Sequence, residues 1–552
     1  MMNVNYVKEF IEKSIRENWD EPAFSDYLGN TFSYKDIAQQ IKYLHKTFEV
    51  IGIKKGDKIS IIGRNNSKWA ISYLATITYG AVIVPILADF APDDVHHIVN
   101  HSDSVMLFAG DSIWDNLEER SMPNLKAIFS LDSSTFLLCR DNKVKQKYNE
   151  LSLNIEKQSK ELSLQEVVYP EISNSALAVI SYTSGTTGFS KGVMLSFNSL
   201  AANIDFGRKN IPLVRKDKIV SFLPLAHAYG AAFEFLMPFS IGCHVTFLTK
   251  VPSPKIIMQA FQEIRPRLVL SVPLIIEKLY KKQILPVINR PAMKILINIP
   301  LLNQKIYQKI NKKLSEAFGG NFLEIVIGGA PLNAEVEDFL RKIKFPFAVG
   351  YGMTECGPLV SYIGWEHSRS RSCGILLPTL GMMIDSSDPE NVAGEILLRG
   401  DNLMDGYYKN LEATRNTIID GWLHTGDLGT IDNDGYIYIK GRSKSMILGP
   451  SGQNIYPEEI EARFNNLPFI TESLVVEKEN KLVALVYPDF EAADHANMSN
   501  QEVEAILEQH RVEINKTLPQ YSQIVKIKLY PEEFEKTPKK SIKRFLYQIS
   551  EN

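Results

Sequence analysis

Apolar positions along the chain follow two periods, and the switches between them outline an alternating α/β protein. Ala176 to Ser181 (ALAVIS) is a short, apolar, β-branched run, which predicts a buried strand, and the apolar pattern resumes from Gly192 to Leu195. Lys58 to Ile62 and, after Gly80, Ala81 to Pro85 read as further strands, whereas Ser33-Tyr34-Lys35-Asp36 has the composition of a helix start. Leu323 to Ile327 and Phe347 to Val349 predict two more strands, each running straight into a glycine turn. Such alternation favours a largely parallel sheet covered by helices. The stretch from about Asp132 to Gln165 is polar and lysine-rich, and predicts a spacer of charged helix and loop.

Composition changes this picture little. At 552 residues the chain is long enough for several domain-sized units around continuous sheets. A hydrophobic content of 45% with 23% charged residues is that of an ordinary globular protein, and a net charge of -3 gives no global reason to expect a nucleic-acid partner. The cysteines Cys139, Cys243, Cys356 and Cys373 are scattered without metal-ligand spacing, which suits free thiols and a cytoplasmic location. Residues Met1 to Asp20 mix charges into a helical apolar pattern and lack a signal peptide's uncharged core. No stretch approaches the roughly 18 apolar residues of a transmembrane helix. One local imbalance stands out: Lys278 to Ser315 carries nine Lys or Arg and no Asp or Glu, interleaved with apolar runs. A basic amphipathic surface of this kind can meet anionic lipid, so peripheral contact with the inner face of the membrane through 278–313 is one expectation, and a solvated helical face the other.

The chemistry is concentrated in Tyr182-Thr-Ser-Gly-Thr-Thr-Gly-Phe-Ser-Lys-Gly-Val-Met-Leu195, between the two apolar runs. Gly185, Gly188 and Gly192 let backbone N–H groups approach an anion, Thr183, Ser184, Thr186 and Thr187 add hydroxyls, and Lys191 adds a mobile positive charge. These are the parts of a phosphate cradle. The Walker pattern fails, because Lys191 follows Ser190 and precedes Gly192. The turns Gly328-Gly329-Ala330-Pro331-Leu332 and Gly350-Tyr-Gly-Met-Thr-Glu-Cys-Gly-Pro358 lie at strand carboxyl ends, where open parallel sheets bind nucleotides. Asp427, in Gly421-Trp-Leu-His-Thr-Gly-Asp-Leu-Gly429, has the chemistry to accept hydrogen bonds from both ribose hydroxyls.

The loop at 182–195 resembles the signature of the adenylate-forming (AMP-binding) superfamily, which includes acyl-CoA synthetases, luciferases and peptide-synthetase adenylation domains. The resemblance runs from about residue 20 to 545 and is strongest to long-chain fatty acid–CoA ligases. It implies a large N-terminal α/β domain of helix-covered mixed sheets (1–441), a hinge (442–444) and a smaller, mobile α+β C-terminal domain (445–552). By the same resemblance His227 and Tyr229, in Phe222-Leu-Pro-Leu-Ala-His-Ala-Tyr-Gly230, line the acyl pocket; Tyr351, with Gly352, flanks the adenine; Thr354 contacts the α-phosphate; and Glu355 helps to hold Mg²⁺. Arg442 assists Asp427 at the ribose, and Lys444 is the hinge residue. Gly449 to Glu461 is a glycine loop leading to a helix with Pro457 in its first turn, and the resemblance implies that this loop lines the thiol channel.

One departure concerns the C-terminal lysine that bridges acyl carboxylate and ATP in this family. Aligning Lys536-Thr537 and Arg544 with its motif puts Ser541 at that lysine's place, flanked by Lys540 and Lys543. In an extended segment Lys543 shares the face of Ser541, which favours Lys543 as the substitute. The implied reaction is ATP-dependent activation of a medium- to long-chain fatty acid to acyl-AMP, with Mg²⁺ as cofactor, followed by transfer to CoA. Its rivals are a ligase delivering the acyl group to an acyl carrier protein and a non-catalytic nucleotide- or lipid-binding homologue.

Overall fold

The computed structural model describes residues 4–157, 162–183, 191–250, 253–300, 302–448, 453–478, 481–537 and 542–548. An eight-stranded sheet runs in the spatial order Gly406–Tyr407, Lys191–Ser196, Leu177–Thr183, Val82–Ile86, Lys58–Ile62, Ser104–Ala109, Ala127–Ser130, Phe136–Cys139. Its middle is parallel and both its edges are antiparallel, so the sheet is mixed. Every residue of Val82–Ile86 is buried, as expected of a parallel strand covered on both faces.

The covering helices follow from local sequence. Tyr34–Ile51 begins at a capping box between Ser33 and Asp36, and ends where Gly52 adopts φ +77°, a left-handed conformation that Gly takes without steric cost. Tyr34, Ile37, Ala38, Ile41, Leu44 and Phe48 recur every three or four residues and are all buried, which fixes the face turned to the core. Each large side chain in that row contributes roughly 1.5–3 kcal/mol of burial, so a charge at Ile41 would break the packing.

Strands Lys218–Ser221, His244–Phe247, Pro22–Asp26 and Thr31–Ser33 form a second sheet, and Val269–Ser271, Ile325–Ile327 and Phe347–Val349 an all-parallel third. A parallel bridge between Ile219 and Leu268 joins the two. An antiparallel sheet of Leu380–Asp385, Gly394–Gly400, Trp422–Ile431 and Ile418–Ile419, with Ile437–Arg442 beside Trp422–Ile431, completes the large unit.

The C-terminal region has its own core. Helices Pro457–Phe464 and Asn500–Asn515 accompany the sheet of Ile470–Lys478, Lys481–Pro488 and Ile524–Leu529, and the cluster that includes Ile460, Phe464, Val475, Ala484 and Leu507 starts at Ile447. The architecture is therefore a large N-terminal α/β unit of mixed sheets with a smaller α+β C-terminal one. The expected spacer at 132–165 differs in one respect: Phe136–Cys139 is a strand, paired antiparallel to Ala127–Ser130 at the sheet's edge, ahead of the expected charged helix at Asn142–Lys157. Among the described residues no helix is long and apolar enough to cross a membrane.

Candidate functional site

The hydroxyl-rich loop closes a hairpin. Leu177–Thr183 and Lys191–Ser196 pair antiparallel with Thr183 opposite Lys191, so the connection leaves the sheet between its second and third strands, where the antiparallel edge meets the parallel middle. Ser184, Gly185, Thr186, Thr187 and Gly188 lie outside the described residues. Lys191 is fixed by its register, and its ammonium stands 4.7 Å from the centroid of the Tyr407 ring, a cation–π contact.

The same tyrosine reaches the predicted metal ligand. Tyr407 Oη donates to Glu355 Oε1 at 2.9 Å, so one side chain holds Lys191 on its face and Glu355 at its hydroxyl. Burial, and then the neighbouring Glu355 carboxylate, push the Tyr407 phenol up, keeping it the donor. Glu355 and Thr354 belong to the short helical turn Thr354–Cys356, whose shape is set by two glycines. A Cβ on Gly352 would lie 2.3 Å from Pro358 O, and one on Gly357, at φ +64°, 2.2 Å from Ser199 Oγ. Buried amides hold the turn from behind. Asn203 Nδ2 donates to Cys356 O at 3.1 Å while Asn203 Oδ1 accepts from Leu359 N at 2.9 Å, and Ser199 Oγ donates to Asn402 O at 2.6 Å. Met404 N donates to Glu355 O at 2.8 Å.

Tyr351, at the exit of Phe347–Val349, turns its hydroxyl to Asp427 Oδ2 at 2.7 Å, and Arg442 Nε lies 2.9 Å from Asp427 Oδ1. Asp427 and Arg442 are cross-strand partners, which is why residues fifteen apart in sequence meet. Burial raises the Asp427 carboxyl, while Arg442 and the Tyr351 hydroxyl pull it down. Asp427 is buried and Arg442 exposed, and each carboxylate oxygen has one partner, Oδ2 the Tyr351 hydroxyl and Oδ1 the Arg442 guanidinium. Gly328, Gly329 and Ala330 follow the parallel strand Ile325–Ile327, with Gly328 N bonded to Ser271 O at 3.1 Å and Gly329 and Ala330 exposed.

His227 is half-buried and precedes the short helix Ala228–Gly230; Tyr229 donates to Val326 O at 3.0 Å and packs beside Gly328. Glu234, fully buried, accepts from Phe222 N and Leu223 N at 3.0 Å each and so fixes the start of this segment; burial pushes its carboxyl well up. Leu225, Ala226, Ala228 and Ala232 line a small, mostly apolar and partly open pocket of about 20 Å³ that reaches Gly357, room for one water. A wider basin of about 410 Å³ at Arg265, Asn311 and Lys312 lies at the amino ends of the third sheet's strands, the edge opposite these residues.

Lys444 is exposed in the turn after Ile437–Arg442. Lys540 and Ser541 lie outside the described residues. Lys543 donates to Glu535 Oε2 at 3.3 Å within its own unit, and among the described residues no hydrogen bond or ion pair joins it to Lys191, Glu355 or Asp427. The structure thus brings together Lys191 with Glu355, and Tyr351 with Asp427 and Arg442, and leaves Lys543 apart. Sequence reasoning missed Tyr407, Asn203, Asn402 and Glu234, for which the linear pattern carries no signal.

Donor chemistry at Glu355 suits Mg²⁺. Among the described residues no cluster of three His, Cys, Asp or Glu could hold a metal, and one carboxylate with one oxygen oriented by a phenol is the kind of ligand Mg²⁺ takes alongside phosphate oxygens.

A buried carboxylate held by a phenol and a guanidinium, a lysine and a carboxylate meeting one tyrosine, and strand ends opening on glycine turns lie on one side of the large unit. The chain belongs to the AMP-binding enzyme family: residues 11–408 match the family's "AMP-binding enzyme" model and residues 444–548 its "AMP-binding enzyme C-terminal domain" model. It is 29% identical over 501 residues to "Long chain acyl-CoA synthetase 3" of Arabidopsis thaliana, covering 84% of this chain and 74% of that protein. To "Long-chain-fatty-acid--CoA ligase FadD15" of Mycobacterium bovis it is 28% identical over 483 residues, covering 83% and 77%. The solved structure of the anthranilate CoA ligase AuaEII in complex with anthranoyl-AMP superposes with a TM-score of 0.79 over 99% of this chain and 96% of that one, at 17% identity. The fold is that of the adenylate-forming enzymes.

Proposed function

We propose that this protein activates a fatty acid with ATP and transfers the acyl group to CoA. The observation that carries the reading is the pairing of Lys191 and Glu355 on Tyr407, with Asp427 held by Tyr351 and Arg442. The names of the relatives supply the acid and the thiol. In the first step a carboxylate oxygen attacks the α-phosphorus of ATP, forming acyl-AMP and releasing pyrophosphate; in the second the CoA sulfur attacks the acyl carbon and AMP leaves.

Asp427 accepts the ribose hydroxyls, and Tyr351 and Gly352 sit against the base. Lys191 and the loop at 183–188 neutralise charge growing on the phosphates, and Thr354 donates to the α-phosphate. Glu355 would hold Mg²⁺, which when bound would supply further charge neutralisation for the triphosphate. Tyr407 meets both groups, Lys191 on its ring face and Glu355 at its hydroxyl, which places the lysine and the carboxylate on two sides of one side chain. His227 and Tyr229 border the acyl entry. The pocket beside Leu225 and Ala232 is small, about 20 Å³, so a long acyl chain entering there would need side chains to move aside. Rotation of the C-terminal unit about Lys444 would then exchange the environments of the two steps.

The test is ATP–pyrophosphate exchange across a panel of acids of rising chain length, followed by thioester formation with CoA and with acyl carrier protein. Exchange with fatty acids and thioester only with CoA supports the reading. Exchange confined to aryl or short diacids would refute the fatty-acid assignment, and thioester formation only on the carrier protein would refute CoA as acceptor.

A further inference from the structure

We propose that the helical tip at residues 285–306 is a peripheral anchor that seats on an anionic phospholipid surface. The chain leaves the third sheet in helix Pro273–Leu279 and returns in Leu302–Ala317, with Leu285–Ile288 and Pro291–Ile297 between. The base of this excursion is fixed by buried Tyr280, Ile284, Tyr307 and Leu314, and by Tyr280 Oη donating to Glu335 at 3.0 Å. Beyond it nothing is buried: of the described residues from 285 to 306, every one is exposed or half-exposed.

What the tip exposes is apolar. Ile295 is 66% exposed, Leu302 42%, Ile299 40%, Leu296 39% and Val287 37%. Isolated apolar side chains on a surface need no explanation, but five within sixteen residues, three of them on the helices Leu285–Ile288 and Pro291–Ile297 that bury nothing, form a patch that calls for a partner. Its charge selects the partner. No Asp or Glu occurs between Glu277 and Glu316. At 3.6 residues per turn, Lys305, Lys309, Lys312 and Lys313 fall within about 100° of arc, opposite buried Tyr307 and Leu314 and on the side of Leu302. All four are exposed.

Apolar side chains at the point of the tip, with cations behind them and one carboxylate nearby, Glu316 at 4.0 Å from Lys312, leave a net positive surface that matches an anionic bilayer: the apolar groups would enter the acyl boundary while the ammonium groups lie at the level of the phosphates. A second copy of this chain fits poorly, because two such tips would bring like charges together. The inference is independent of which acid the enzyme activates.

The test is co-sedimentation of the full chain with vesicles of phosphatidylcholine containing phosphatidylglycerol, against pure phosphatidylcholine, over rising salt. Binding is expected on the anionic vesicles only and is expected to fall with salt. Changing Lys305, Lys309, Lys312 and Lys313 to Gln should weaken it about fivefold per charge near the surface. Replacing Ile295, Leu296 and Ile299 by Ser should weaken it about tenfold or more for the set. Both variants alter exposed side chains only, so ATP–pyrophosphate exchange without vesicles should stay at the parent rate, which also reports intact folding. Absence of binding, salt-insensitive binding, or equal binding by parent and both variants would overturn the proposal. So would an acidic protein or a second copy that covers the tip, read as a complex that the serine variant dissolves while vesicles bind neither form.

Discussion

Replacing Tyr407 by Phe removes one hydroxyl from a side chain that touches both halves of the charge apparatus. The ring that faces Lys191 at 4.7 Å remains, and so does its packing, but the 2.9 Å hydrogen bond to Glu355 Oε1 is lost. A hydrogen bond to an ionised acceptor is worth about 1.5–3 kcal/mol, so if Glu355 must be held for the transition state the adenylation rate should fall roughly 10- to 150-fold. Stability should change far less, since the ring stays buried and no cavity opens. ATP–pyrophosphate exchange with fatty acid reads the rate, and titration with Mg²⁺ reads whether the loss lies in metal use. The decisive measurement is a double-mutant cycle with Glu355→Gln. If Tyr407 acts through Glu355, the second substitution adds little to the first. Full activity in Tyr407→Phe, or losses that multiply in the double variant, would refute the idea that this phenol positions the carboxylate.

Other outcomes follow from the same geometry. Lys191→Ala should lower exchange by roughly 10²-fold with folding unchanged, because it removes a charge from developing phosphate charge. Arg442→Gln removes a group that lowers the Asp427 carboxyl, so protonation of Asp427 should occur at higher pH, and the acid limb of ATP binding, followed by a nucleotide-displacement titration, should move towards neutrality. Lys444→Pro fixes φ in the turn after Ile437–Arg442, and adenylation should survive better than thioester formation; equal loss of both in a folded protein would argue against rotation there. Asn203→Ala, scored by thermal melting and by exchange, should cost both stability and rate, since it leaves Leu359 N and Cys356 O without their partner behind the Glu355 turn.

The parts of this site that are local in sequence were legible in it. Buried parallel strands are continuous apolar runs, so Lys58–Ile62 and Phe347–Val349 stood out, and their glycine turns marked the edge where ligands bind. Asp427 and Arg442 were paired in sequence by the family resemblance alone; the structure shows why they meet, as cross-strand neighbours in a hairpin that turns at Asp432 to Gly435. Tyr407 was not legible, because it reaches Glu355 from a strand of two residues at the sheet's edge, 52 positions away. Asn203 and Glu234 were hidden for another reason: a buried amide or carboxyl that satisfies distant backbone groups has no periodicity, and its role appears only once the fold places those groups around it. The strand Phe136–Cys139 was masked by the lysine-rich sequence that follows it.

The orientation of the C-terminal unit is tied to the nucleotide turn by one short segment. Asn333 directly follows Gly328 to Leu332; its Oδ1 caps helix Ala334–Lys342, accepting from Glu335 N at 3.0 Å, while its Nδ2 donates to Ala462 O at 3.2 Å. Lys281 donates to Asn465 O beside it. Both carbonyls lie at the end of helix Pro457–Phe464, where unsatisfied C=O groups and the negative end of the dipole favour donors and cations. Breaking the two neutral hydrogen bonds of Asn333, to Ala462 O and to Asn466 Oδ1, and the charge-assisted one of Lys281 would cost about 2.5–6 kcal/mol. In this orientation Lys543 is engaged by Glu535 and Arg544 by Glu458 and Glu461, inside their own unit, while Lys191 stands over the ring of Tyr407, whose hydroxyl meets Glu355. The proposed rotation of the C-terminal unit would have to release Asn333 and Lys281, so Asn333→Ala with Lys281→Ala should change thioester formation more than adenylation, and equal change in both would argue against that role.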